Sequence, residues 1–213
     1  MLLHLIDEFF ALILMGLDGK IDSYIYRRVE VVSLNTPICN FGWKAREFNL
    51  LGVDGEQWNL SKAKGKSGLI VMFICNHCPY VKAILPRLVN DLAELKKIGI
   101  NAVGISSNDV LNYPEDSYEN MQKISQDEAF SFPYLFDESQ QVAKAYDAIC
   151  TPDFFGFNAA LELQYRGRFD STGRGKPSIH NERDLYEGMK LIAKTQKGPK
   201  EQISSIGCSI KWK

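Results

Sequence analysis

The sequence predicts an α/β fold, and three observations carry the prediction. "SGLIVMFI" (67–74) is an uncharged apolar run of strand length, the pattern of a strand buried on both faces of a sheet. "PYVKAILPRLVNDLAELKKIG" follows it, with Val81, Ile84, Leu85, Leu88, Leu92 and Leu95 on one helical face. "INAVGISS" (100–107) is then a second buried strand. Strand, helix and strand in that order form a parallel unit with a right-handed crossover, and the surrounding elements suit the same class.

Before this unit, "MLLHLIDEFFALILMG" places Leu2, Leu5, Ile6, Phe9, Leu12 and Ile13 at helical spacing. There is no Lys or Arg in its first 15 residues, Asp7 and Glu8 interrupt the apolar run, and no small-x-small site follows. A secretory signal needs those features, and the run is too short to cross a bilayer. It reads as an amphipathic helix that packs on the domain or a partner. "EFNLLGVDGEQWNL" reads as two short strands around Asp54-Gly55, a hairpin pattern.

In the central helix Gly99 marks the end, and Pro86 predicts a kink. "PEDSYENMQKISQDE" (114–128) is a polar helix with Pro114 in its first turn. "FPYLF" (132–136) is short and extended. "DESQQVAKAYD" reads as a short helix with Asp137 as N-cap and Gln140 placed for a capping box. "DFFGFN" and "LELQYRGRF" form a hairpin pair, with Arg166 and Arg168 expected on its solvated surface. "ERDLYEGMKLIAKTQKG" is a last amphipathic helix, followed by the tail "SSIGCSIKWK".

The 213 residues suffice for one well-buried core. Lys plus Arg number 25 and Asp plus Glu 26, so the basic excess of a general nucleic-acid binder is missing. The five cysteines, Cys39, Cys75, Cys78, Cys150 and Cys208, are too few and too scattered for a disulfide framework. One redox pair among otherwise reduced thiols suits a cytosol.

The pair is Cys75-Asn76-His77-Cys78, between the first buried strand and its helix. The carboxyl ends of strands are where open α/β sheets build their sites. Pro79 in the first helical turn puts Cys75 at or just before the helix start. Unpaired backbone N–H groups and the helix dipole there favour thiolate over thiol. Cys75 is then the expected nucleophile, and Cys78, a helical turn on, the thiol that resolves the mixed disulfide. His77 and Asn76 occupy the tuning positions between them; a protonated His77 would stabilise the thiolate further. Two small core thiols or half of a zinc site are the other readings. Zinc requires four ligands, and His180, Cys39, Cys150 and Cys208 are single and scattered.

"VMFICNHCPYVKA", "CTPDFFGF" and "YRGRFD" together resemble the thioredoxin-like redoxin superfamily, including its alkyl hydroperoxide reductase/thiol-specific antioxidant domain. Small bacterial redoxins with CNHCPYVK that end in GCSIKWK are more similar still. The resemblance covers about residues 36–213, and "FGWKAREFNLLGVDG" matches the redoxin entry segment except for Arg46 in place of a proline. It implies a thioredoxin-like fold with a central mixed sheet, an N-terminal β-hairpin and a helical insertion. It also implies a cis peptide before Pro152, with the Thr151 backbone exposed as a platform for an extended substrate segment. Three further features depart from the pattern. The intervening pair is Asn-His, Leu69 stands where thioredoxins bury an aspartate, and Cys75 stands where peroxiredoxins place a threonine.

The chain is therefore expected to comprise a helical extension at 1–35, a redoxin domain at 36–198 and a tail at 199–213 that packs on it. The expected function is thiol–disulfide exchange by Cys75 and Cys78, without cofactor or metal, because the electrons sit in the cysteines. Cys150 and Cys208 are possible additional thiols, each more readily read as packing. A thiol peroxidase using the same pair is one alternative; a non-enzymatic binding or metal-delivery module is another. Expected partners are protein disulfides or dithiols, or a small thiol or peroxide, with no nucleic acid and no stable membrane insertion. The expected compartment is the cytoplasm, or the periplasm if the N-terminal apolar segment acts as a signal.

Overall fold

In the computed structural model, the described residues are 33–37, 41–176, 178 and 180–213. The expected N-terminal helix and Cys39 lie outside them. The first strand is β1 (Ser33–Asn35), and the expected hairpin follows as β2 (Asn49–Gly52) and β3 (Gln57–Asn59). A short helix α1 (Leu60–Ala63) leads into β4 (Gly68–Phe73). Next come α2 (Pro79–Lys97) and β5 (Ile100–Ser106). A 3₁₀ turn (Pro114–Asp116) and α3 (Tyr118–Asp127) form the helical insertion before β6 (Tyr134–Phe136). The rest is α4 (Gln141–Ala145), β7 (Cys150–Thr151), β8 (Asp153–Asn158), β9 (Leu163–Tyr165), α5 (Asp184–Thr195) and β10 (Ile206–Ser209).

The main sheet has the order β3-β2-β6-β5-β4-β8-β9. It is mixed: β4, β5 and β6 pair in parallel, and the remaining pairs are antiparallel. β4 is central and apolar throughout because its side chains feed two cores. Ile70 and Met72 pack with the apolar faces of α2 and α5. Leu69, Val71 and Phe73 pack on the opposite face with Leu60, Ala143, Tyr146 and Phe155. Each such side chain stabilises the fold by about 1.5–3 kcal/mol through burial.

α2 runs continuously across Pro86, one ladder hydrogen bond short because proline has no N–H. It stops where Gly99 takes φ +84°, a left-handed conformation that suits glycine. α4 differs from its expected cap. Gln140, not Asp137, is the N-cap residue, and it sits in the left-handed region. Asp137 is fully buried and instead accepts from the Ala143 N–H at 3.0 Å and the Ser107 hydroxyl at 2.9 Å. Arg166 also departs from expectation. It is buried, donates to both carboxylate oxygens of Asp153 at 3.0 and 3.4 Å, and lies 4.4 Å from the Phe155 ring centroid.

The tail does more than pack. β10 is the middle strand of a second, antiparallel sheet, β1-β10-β7. Cys208 sits opposite Ser33 on one side and Thr151 on the other. Beyond it, Lys211 is held by Asn108 Oδ1 and by the Asp109 N–H, and the Lys213 N–H donates to Gln140 Oε1. Among the described residues, no helix is long and apolar enough to cross a membrane.

Candidate redox site

Residues 74–78 link the carboxyl end of β4 to α2, and Pro79 is the first helical residue. Cys78 is therefore the N-cap, with extended backbone angles of φ −64° and ψ 121°. This revises the expected register: the sulfur at the helix end is that of Cys78, and Cys75 lies three residues earlier. Both cysteines are buried.

The Cys78 sulfur is the hub of the site. As a thiol it donates to the Thr151 carbonyl at 3.0 Å, and it lies 2.8 Å from the Cys208 sulfur. The Cys208 S–H, then the Cys75 S–H, hold it well below the ordinary thiol range despite burial. The first-turn N–H of Val81 adds to that lowering. Cys75 moves the opposite way. Burial pushes its thiol up, as does the hydrogen bond it gives Cys78, and its sulfur lies 3.4 Å from the Thr151 hydroxyl. The Cys208 thiol is raised because it donates to Cys78. The neighbouring S–H groups thus favour the thiolate on Cys78 over one on Cys75 or Cys208.

The Thr151–Pro152 peptide bond is cis, as the resemblance implies. Thr151 is nevertheless buried, and its backbone is not free for a substrate. The protein's own tail strand occupies that edge, with Cys208 in register with Thr151. Cys150 faces elsewhere: its sulfur donates to the Pro152 carbonyl at 3.5 Å, and burial raises its thiol.

The sequence reading did not identify Asp116, which organises the other half of the site. Its fully buried carboxylate accepts from the N–H groups of Asn76 at 2.7 Å and His77 at 3.1 Å. It also accepts from Asn108 Nδ2 at 2.8 Å and His77 Nδ1 at 2.6 Å. Burial pushes the Asp116 carboxyl up, but these donors more than offset it and hold it below the usual range. The ionised carboxylate can only accept, so Nδ1 of His77 carries the proton. That hydrogen bond raises the His77 pKa above 6.5 against the opposing effect of burial. The imidazole stacks on Tyr113 at 5.4 Å between centroids.

Asn76 is fixed as well. Its Nδ2 donates to the Glu115 carbonyl, and its Oδ1 accepts from the buried Tyr134 hydroxyl at 3.0 Å. Tyr134→Phe is expected to lower stability by about 1 kcal/mol, read as a shifted urea midpoint with an unchanged m-value.

Cys75, His77 and Asp116 offer three potential metal-ligating atoms within 4.8 Å of one another. Binding a cation there would break the His77–Asp116 hydrogen bond and compete with three further N–H donors to the same carboxylate. The donors present fit an internal hydrogen-bond network better than a cation. A groove of about 260 Å³ opens beside Pro152, lined among others by Tyr80, Ile84, Arg168, Phe169, Arg174 and Ile206.

Comparison with known proteins identifies the family and the fold. The model of the AhpC/TSA family matches residues 41–169, more than half of the chain. Peroxiredoxin Bcp of Escherichia coli (strain K12) is 29% identical over 112 residues, 53% of this chain and 67% of that one. The crystal structure of an uncharacterized conserved protein from Geobacillus kaustophilus superposes with a TM-score of 0.81 at 39% identity, covering 85% of this chain and 97% of that one. The thioredoxin domain of a thiol-disulfide oxidoreductase from Bacteroides vulgatus shares the fold, with a TM-score of 0.51 at 17% identity over 61% of this chain and 89% of that one. The chain belongs to the AhpC/TSA family of thioredoxin-like redoxins and is an oxidoreductase that works through thiols.

Proposed function

We propose that the protein catalyses thiol–disulfide exchange by cycling Cys75 and Cys78 between dithiol and disulfide, with Cys78 supplying the thiolate. The observation that carries this reading is the position of the Cys78 sulfur. It lies at a helix N-terminus, beside a second cysteine three residues away and against the cis-Pro152 segment. The Cys78 thiolate attacks a substrate disulfide and releases one substrate thiolate. Cys75 then attacks the mixed disulfide at Cys78 and frees the other. Two electrons pass from the protein to the substrate, and no cofactor is needed. The groove beside Pro152 gives a substrate a route toward the site, and His77, with a ring nitrogen within 4.8 Å of the Cys75 sulfur, can return a proton to a departing thiolate when it is protonated. Protein disulfides or small disulfides are the fitting substrates. The small number of scattered cysteines suits work in a reducing cytosol.

One observation favours a second reading, hydroperoxide reduction: Cys78 is fully buried. A molecule the size of hydrogen peroxide can reach such a sulfur more readily than a protein disulfide can, and a thiolate there would be oxidised to a sulfenic acid.

The test is a thiol count on the reduced protein. After reaction with oxidised glutathione in slight excess and removal of the released glutathione by gel filtration, the wild type is expected to have lost two titratable thiols. Full-rate thiol loss in Cys78→Ser would overturn the assignment. Oxidation by hydrogen peroxide much faster than that of a free thiolate would select the second reading.

A further inference from the structure

The C-terminal strand brings a third sulfur to the reacting pair, and its seating is specific. Gly207 rests against the cis peptide, where a Cβ would collide with the Thr151 carbonyl and meet the Pro152 nitrogen at 3.0 Å. Only glycine allows the strand to lie this close. Ser205 Oγ donates to the Pro152 carbonyl at 2.8 Å, and its N–H donates to Thr36 Oγ1 at 3.0 Å. Between β1 and β7 the strand has paired neighbours on both sides, so the position of Cys208 is fixed by backbone register. Its sulfur lies 2.8 Å from Cys78 Sγ, and both are buried. The tail thus meets the Thr151 edge as an extended substrate segment would, with its cysteine at the reacting sulfur.

We propose that Cys208 is a second exchange partner of Cys78, and that the tail strand acts as an internal substrate seated on the Thr151–Pro152 platform. The proposal rests on the reading of Cys78 as the site's thiolate. In a molecule carrying the Cys75–Cys78 disulfide, the Cys208 sulfur attacks Cys78 Sγ. The Cys75–Cys78 bond breaks, the Cys78–Cys208 bond forms, and the proton of Cys208 passes to Cys75. No electrons leave the protein, so the step consumes no outside reagent. The two sulfurs close from 2.8 Å to the about 2 Å of a disulfide, a side-chain adjustment. The site then holds one disulfide in two alternative positions. An external substrate reaches Thr151 only by displacing the tail, which is easier when Cys208 is not bonded.

The test uses full-length Cys75→Ser protein, oxidised with one equivalent of diamide, alkylated, digested and mapped by mass spectrometry. The expected product joins the peptides that contain Cys78 and Cys208. Adding Gly207→Ala is expected to lower its yield several-fold at unchanged circular dichroism, because the added methyl lifts the strand from the cis peptide. Adding Cys208→Ser is expected to abolish the product and leave Cys78 trapped as a mixed adduct or an intermolecular disulfide. Oxidised Cys78 together with a fully alkylated Cys208 in the Cys75→Ser protein would overturn the proposal while leaving the Cys75–Cys78 reading intact. A Cys78 that resists oxidation in the wild type would overturn both.

Discussion

Replacing Cys78 by serine is expected to slow exchange with small disulfides by at least about a thousandfold, the scale on which loss of a nucleophile is felt. The thiolate is the reacting species, and a serine hydroxyl does not ionise at neutral pH. The fold should survive, because serine is a favoured N-cap and Cys78 occupies the N-cap of α2. An unchanged or slightly raised unfolding midpoint, measured beside the lost rate, separates a chemical defect from a structural one. Cys75→Ala should behave differently. It removes one of the S–H donors that hold the Cys78 pKa down, so the pH at which Cys78 alkylation half-saturates is expected to rise. Alkylation with iodoacetamide across pH 3 to 9, quantified by mass, would show it; an unmoved midpoint would mean that Cys75 does not stabilise the thiolate.

The second large effect belongs to Asp116. Asp116→Ala removes the acceptor shared by Asn76, His77 and Asn108 and strands their buried donors. Losing one partner of such a buried charged network costs about 3–5 kcal/mol, and in a chain this long each kcal/mol lowers the unfolding temperature by roughly 2–4 °C. The loss should depend on pH. The folded His77 pKa is raised, so its share of stability is fully present below about 6.5 and disappears as pH rises through the folded value. The folded Asp116 pKa is lowered, so its share is present above about 3.9 and disappears as pH falls through the folded value. The penalty of the substitution should therefore be greatest between those two limits and smaller on either side. Thermal unfolding from pH 3 to 9 checks the profile. The imidazole resonance of His77 gives a second readout: Asp116→Asn is expected to return its titration toward the ordinary value.

The main sheet was legible because its signals are local. β4 is a run of apolar residues without charge, α2 repeats its apolar face at helical spacing, and Gly99 closes it. Cys75 and Cys78 could be placed at the strand–helix junction for the same reason. The roles within the pair turned on the helix start. Proline favours the first helical position, with the cap just before it, so Pro79 already pointed to Cys78. What escaped the sequence was assembled across long separations. Asp116 meets Asn76 from 40 positions away, and Cys208 meets Cys78 from 130. No local pattern marks either partner: Asp116 sits in a polar segment like any exposed acid, and "IGCS" is too short for a period to show. The buried state of Arg166 was hidden similarly, since the carboxylate that neutralises it lies on the neighbouring strand β8.

The separation of 130 positions between Cys78 and Cys208 also bears on the survival of the molecule. A Cys75–Cys78 bond closes a small ring and restrains the unfolded chain by only about 2 kcal/mol in the chain-entropy account. A Cys78–Cys208 bond would ring everything from α2 to β10, and loops of that size restrain the unfolded ensemble by about 4–5 kcal/mol in the chain-entropy account. Moving a single bond by one sulfur would then change the fraction of molecules open to proteases by roughly two orders of magnitude, so the redox history of the site would be recorded in how long each copy of the protein lasts.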